Sequence, residues 1–199
     1  MKHLFPSQLP NQILLVMGEH AASNWMLELS AWLALQGDLR VLDAGNRFNA
    51  YPVAHAVRRL HHNPREVLER IRLSRAFTCY QVDVLLEEWQ PQPYPTLVFD
   101  LLATFYDENV NLPESQRLLG QVIWRLQQLS KLAPVVVSTR LPATICADRM
   151  VLFDMLKAQV GELRLEMELS PEDRLQLPVQ AALLPSFESE QPLQLQKGR

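Results

Sequence analysis

The sequence predicts an α/β fold: a mostly parallel, twisted sheet with helices on both faces. Two observations carry that expectation. Several short runs are apolar at nearly every position, without the alternation of a half-exposed strand, and so read as strands covered on both sides. Between them lie segments whose apolar residues recur at helical spacing, and strands alternating with helices build parallel sheets through crossover connections.

The first strand is residues 13–17, ending at Gly18. Residues 24–36 bring Trp25, Leu29, Trp32 and Leu33 to helical spacing, and Gly37 closes that helix. Residues 40–43 read as a second strand and residues 52–60 as a helix. Pro64 suits the first position of another helix, with Val67, Leu68 and Ile71 inward. Residues 72–75 read as a third strand, and residues 80–89 as a helix with Val82, Leu85, Leu86 and Trp89 on one side. Pro91, Pro93 and Pro95 then make a stiff connection. Residues 96–100 form a strand ending in an acid, and residues 114–131 a long amphipathic helix through Leu118, Val122, Leu126 and Leu129. A fifth strand, 134–138, and a helix over 148–160 follow. Residues 162–169 alternate leucine or methionine with charge, which predicts an antiparallel-type edge strand. The periodic pattern stops there, so the core domain is read as residues 1–169. Residues 170–199, with Pro171, Pro178, Pro185 and Pro192, are read as an extended tail.

Composition narrows the function classes. A length of 199 residues suits one core. The net charge of −3 and isoelectric point of about 6.0 exclude a generally basic nucleic-acid coat, but not a local patch. Cys79 and Cys146 are too few for a disulfide framework, and neither has a partner at metal-ligand spacing. No apolar run approaches the ~18 residues of a membrane span, and residues 1–6 lack a signal-peptide core. A soluble, cytoplasmic protein is expected.

Ligands of such sheets sit beyond the carboxyl ends of the strands, so three strand ends matter. Gly18 to Trp25 has the register of a phosphate-binding loop, G-x-x-x-x-G-K-[ST]. The chemistry differs: Ser23 replaces the second glycine, Asn24 the lysine, and Trp25 the magnesium-binding hydroxyl. The alternatives are a weak anion site on backbone amides and a plain turn with Ser23 or Asn24 as N-cap. Trp25 either fills the vacated space or faces a partner. The second strand end runs from Asp43 to Asn49. The third is Asp100, an acid placed to hold magnesium through water or simply to cap.

In this order the residues resemble the ATPase core of RecA/RadA-type recombinases and their paralogs. The likeness runs through the strand ending at Asp43, the turn Asn46-Arg47-Phe48-Asn49, the helical run from Asn63 to Ile71 and the segment Ser74 to Gln81. It continues through Leu97-Val98-Phe99-Asp100, similar to a Walker B strand, and Val135 to Arg140, similar to the strand entering the second DNA loop. It covers roughly residues 12–140 and implies a RecA-like P-loop NTPase fold. By that resemblance Gly18, Ser23, Asn24 and Asp100 are vestiges of a nucleotide site, and only Asp100 keeps a matching functional residue. The family's general-base glutamate falls on Gly45 and its glutamine sensor on Arg140. The resemblance does not extend to the family's polymerisation element or N-terminal domain. No catalytic residue is expected.

The remaining feature is a basic segment. Arg58, Arg59, Arg65, Arg70, Arg72 and Arg75 crowd together, with His61 and His62 between and only Glu66 and Glu69 opposed in the segment. Arginine forks suit phosphate. Arg58, Arg59, Arg65, Arg72 and Arg75 are therefore candidates for contacting a nucleic-acid backbone or an acidic partner, against the alternative of a solvated face of Glu–Arg pairs. The favoured expectation is a non-catalytic recombinase paralog, an accessory or scaffold in DNA recombination or repair that works through a recombinase or paralog partner, in a homo- or hetero-oligomer, with no membrane role and no obligatory cofactor. Two alternatives stand beside it: a nucleotide-binding ATPase using Asp100 and Asp43 for magnesium, and a regulatory interaction module without a nucleic-acid role.

Overall fold

Six parallel strands form one sheet in a computed structural model that describes residues 13–166. They are β1 (Ile13–Gly18), β2 (Leu39–Asp43), β3 (Ile71–Arg75), β4 (Thr96–Phe99), β5 (Val135–Thr139) and β6 (Glu162–Glu166), in the order β3-β2-β4-β5-β1-β6. The helices between them are α1 (Ser23–Gln36), α2 (Ala50–Arg58), α3 (Pro64–Glu69), α4 (Cys79–Glu88), α5 (Leu112–Ser130) and α6 (Met150–Lys157). The α/β class and the parallel sheet agree with the sequence reading. Residues 170–199, read as a tail, lie outside the described residues, as do 1–12 and 167–169.

Handedness distributes the helices. Connections β1 to β2 and β2 to β3 run toward one edge of the sheet, while β3 to β4, β4 to β5 and β5 to β6 run toward the other. Parallel crossovers are right-handed, so opposite directions place helices on opposite faces. Accordingly α1, α2 and α3 pack with Leu14, Val16, Val41, Leu97, Phe99 and Val136. The helices α4, α5 and α6 pack with Ile13, Leu15, Leu42, Val98, Val135 and Val137. Alternate residues of each central strand thus enter different cores, which is why these strands are apolar at every position. Arg125 of α5 ties the second layer by pairing with Asp83 and Glu87 of α4.

Several boundaries differ from expectation. β6 is parallel to β1, Leu15 opposite Leu163, not antiparallel. Its alternating pattern reports an edge position; its direction is set by α6, which returns the chain to the start of the sheet. Ile71 opens β3 instead of ending a helix, and Trp89 lies just past α4. α5 starts earlier than predicted, because the Asn111 side chain accepts from the Glu114 N–H and Pro113 follows in the first turn. The predicted helix over 148–160 is a 3₁₀ turn, Thr144–Arg149, followed by α6. Among the described residues no helix is long and apolar enough to cross a membrane.

Candidate functional site at the strand carboxyl ends

Three adjacent strand pairs, β3/β2, β2/β4 and β5/β1, send their outgoing connections to opposite faces. The crevices that form beyond such pairs are where open α/β sheets hold ligands. Backbone strain gathers there too. Among the described residues, five non-glycine residues have positive φ: His20, Ala21 and Ala22 after β1, Asn46 after β2, and Asp100 after β4. Left-handed conformation costs an L-residue roughly 1–2 kcal/mol, and such strain clusters where function constrains the chain.

The loop after β2 is organised by Asp43, which is buried. Its Oδ1 accepts the Arg47 backbone N–H at 2.8 Å, and its Oδ2 accepts the Phe48 N–H at 3.1 Å. Arg75 Nε donates to the same Oδ2 at 3.0 Å, and Arg75 also donates to the Phe48 carbonyl. Asn46 takes the left-handed turn, which asparagine tolerates. Phe48 packs edge-on against Phe99 with ring centroids 5.6 Å apart. The curled loop therefore aims Arg47 across the end of β4.

There Arg47 meets Asp100, whose side chain is 0% exposed. Arg140, just past β5, meets it from the other side. Both Nε atoms lie 3.2 Å from the same oxygen, Oδ2. The order β2-β4-β5 creates this cluster by flanking Asp100 with the loops of its two sheet neighbours. Asp100 is anchored further by its own N–H, which donates to Ser138 Oγ at 3.0 Å. Its Oδ1 is buried with no hydrogen-bond partner among the described residues. Burial raises the Asp100 carboxyl above the usual range, and Arg140 and Arg47 pull it part of the way back. Tyr106 donates its hydroxyl to the Arg140 carbonyl. Burial and the Asp100 charge push that phenol upward, so it stays a protonated donor.

Gly45 has a steric reason. A Cβ at that position would lie 2.5 Å from the Asp100 Cβ and 2.8 Å from Oδ2. The place where the recombinase resemblance puts a glutamate is closed to any side chain by the carboxylate beside it.

The residues around β1 do not reproduce a nucleotide site. Neither Ser23 nor Asn24 is the N-cap of α1; that position is the left-handed Ala22, and no side chain caps it. Ser23 Oγ instead donates back to the His20 carbonyl. Trp25 is buried in the core under α1, so it fills space instead of facing a partner. Gly18 ends β1 as expected. A magnesium nucleotide fits these residues poorly. Asp100 Oδ2 already carries two guanidiniums, and both Asp43 oxygens are engaged. No lysine stands in the turn, and among the described residues no three His, Cys, Asp or Glu side chains converge as a metal set.

No model of a known protein family matches the chain, and no curated protein matches its sequence.

The basic segment divides in two. Arg65 pairs with Glu69 and Arg70 with Glu66 along α3, while Arg72 pairs with Asp38 and Arg75 with Asp43. The opposing acids therefore include Asp38 and Asp43, which are distant in sequence and were not counted in the segment. Arg72 also lies over the Tyr94 ring at 5.2 Å. Arg58 and Arg65 border a shallow groove of about 540 Å³ with Asn63 and Leu68. Arg58 and Arg59 are exposed and make no ion pair among the described residues. Among the described residues, these two are the guanidiniums of the basic segment that no acid pairs with. Among the described residues β3 is an edge strand with one side unpaired, and Leu73 on it and Phe77, Tyr80 and Val84 in the segment that follows are exposed.

Sequence reasoning missed Arg149. It is 3% exposed and has no carboxylate partner among the described residues. It donates to the Phe105 and Val110 carbonyls and to Ser115 Oγ, tying the loop before α5 to the start of α6. An arginine preceding an apolar helix carries no signal for such burial. Trp124 is 59% exposed on α5.

Proposed function

We propose that this protein is a non-catalytic relative of RecA/RadA-type recombinases, an accessory or scaffold in DNA recombination or repair that works through protein partners. One observation carries the reading. The strand-end positions at which such an ATPase would handle nucleotide and metal hold side chains that pair with one another: Asp100 with Arg47 and Arg140, Asp43 with Arg75. Glycine stands where a general base would orient water, and it is packed against Asp100. The parallel sheet with helices on both faces supports the resemblance, and the β3 edge, unpaired among the described residues and followed by exposed apolar side chains, suits a protein partner.

DNA contact, in this reading, rests on Arg58 and Arg59. The test is an equilibrium titration of single- and double-stranded DNA across a salt series, beside pull-downs against purified recombination proteins. Salt-sensitive binding is expected, with the slope of log K against log salt reduced by about 0.9 for each backbone contact to duplex removed in Arg58→Gln and Arg59→Gln. A chain that captures neither DNA nor any recombination protein would leave the regulatory-module alternative in its place. Hydrolysis of MgATP above a no-protein control would reverse the non-catalytic assignment.

A further inference from the structure

We propose that Arg47 and Arg140 form the jaws of a metal-independent site for the phosphate group of a small molecule, with Asp100 as the post that orients them. The argument starts from what the two arginines do not do. One guanidinium suffices to neutralise one carboxylate, and the strongest arrangement is a two-point fork onto both oxygens. Here two arginines converge, each through Nε alone, on a single oxygen, and Oδ1 of the same buried carboxylate is left without a partner. The arrangement does not serve Asp100. It leaves the four Nη atoms of Arg47 and Arg140 without partners among the described residues, on side chains 27% and 48% exposed.

Charge points the same way. Arg47, Arg75 and Arg140 face two carboxylates, Asp43 and Asp100, so the cluster carries an excess positive charge. Acids that could have held a cation have become the anchors of an anion site. Paired guanidinium forks match the oxygens of a tetrahedral phosphate, and the place is the carboxyl ends of β2, β4 and β5, the end of the sheet at which open parallel α/β folds bind ligands. Divalent metal is not needed, because the arginines already supply the positive charge. This site is independent of the recombinase resemblance.

The probe is inorganic pyrophosphate, titrated into the full chain by calorimetry in EDTA and again with magnesium. Saturable binding in EDTA that magnesium does not strengthen is expected. Arg47→Lys and Arg140→Lys keep the charge over Asp100 but lose the fork, and each should weaken binding about tenfold, the loss of a single good contact of about 1.4 kcal/mol. Arg117→Gln, on α5 and paired with Glu114, should leave it unchanged. ATP in EDTA distinguishes a nucleotide from a bare phosphate ligand by whether it binds more tightly than pyrophosphate. Three results would overturn the proposal: no saturable binding by the wild-type chain at millimolar pyrophosphate, binding only with magnesium, or equal loss in Arg117→Gln. Failure of the DNA and partner experiments would not touch it, and its failure would not touch them.

Discussion

Replacing Gly45 with alanine probes the site through one methyl group. The added Cβ would stand 2.5 Å from the Asp100 Cβ, 2.8 Å from its Cγ and 2.8 Å from Oδ2. Relief requires Asp100 to move, and Asp100 is held on every side. Its N–H donates to Ser138, its Oδ2 accepts from Arg47 and is ion-paired with Arg140, and its side chain is fully buried. Gly45 itself has no positive φ, so backbone conformation adds nothing and the cost is purely steric. Overpacking of this kind costs about 1–3 kcal/mol. In a domain of this size each kcal/mol lowers the midpoint by roughly 2–4 °C. Gly120 on α5 is the control, with nothing within 4 Å of its Cβ position. Gly120→Ala in a helix interior should stabilise by about 0.5–1 kcal/mol. Both are measured by denaturant unfolding at neutral pH. If Gly45→Ala were as stable as the wild type within about 0.5 kcal/mol, the carboxylate would be free to shift, and the rigid Arg47–Asp100–Arg140 cluster would be refuted.

Three further perturbations test other parts of the structure. Because burial raises the folded carboxyl of Asp100, the folded chain keeps that proton at pH values where the unfolded chain has lost it. Its contribution to stability is full below about pH 4 and is lost as pH rises through the folded value, so wild-type stability relative to Asp100→Asn should fall from about pH 4 toward neutrality in unfolding measured across pH; a difference that rises with pH would contradict the assignment. Arg149→Met keeps bulk but leaves two carbonyls and Ser115 without their donor, and should cost about 1–3 kcal/mol in denaturant unfolding, with partial recovery in Arg149→Lys. Cys146 donates to Glu108, which with burial holds its thiol above the ordinary range, while Cys79 is buried. Maleimide should label Cys146 first, and Glu108→Gln should speed that labelling by lowering the thiol pKa.

Much of the framework was legible because it rests on local patterns. Strands covered on both faces have no polar position to hide, so residues 13–17, 96–99 and 135–137 declared themselves, and the helices between them followed from 3.6-residue spacing. The departure of the turn after β1 from the phosphate-loop pattern was also legible, since it depends only on Ser23, Asn24 and Trp25 standing at those positions. Strand direction at the edge was not, because an alternating pattern such as 162–166 describes one covered face and says nothing about the neighbour's polarity.

The candidate site belongs to the tertiary structure. Arg47, Asp100 and Arg140 are separated by about a hundred residues of chain, and each alone is an ordinary charge at a strand end. Only the order β2-β4-β5 makes their loops neighbours. The same is true of Gly45, which in the sequence is an ordinary loop glycine and in the fold stands where a Cβ would collide with Asp100, and of the arginines whose partners, Asp38 and Asp43, lie more than thirty residues away. Sequence alone determined which segments become strands and helices, because hydrophobic burial acts on local periodicity. Which charges meet was decided by strand order, because electrostatic pairing depends on distance in space.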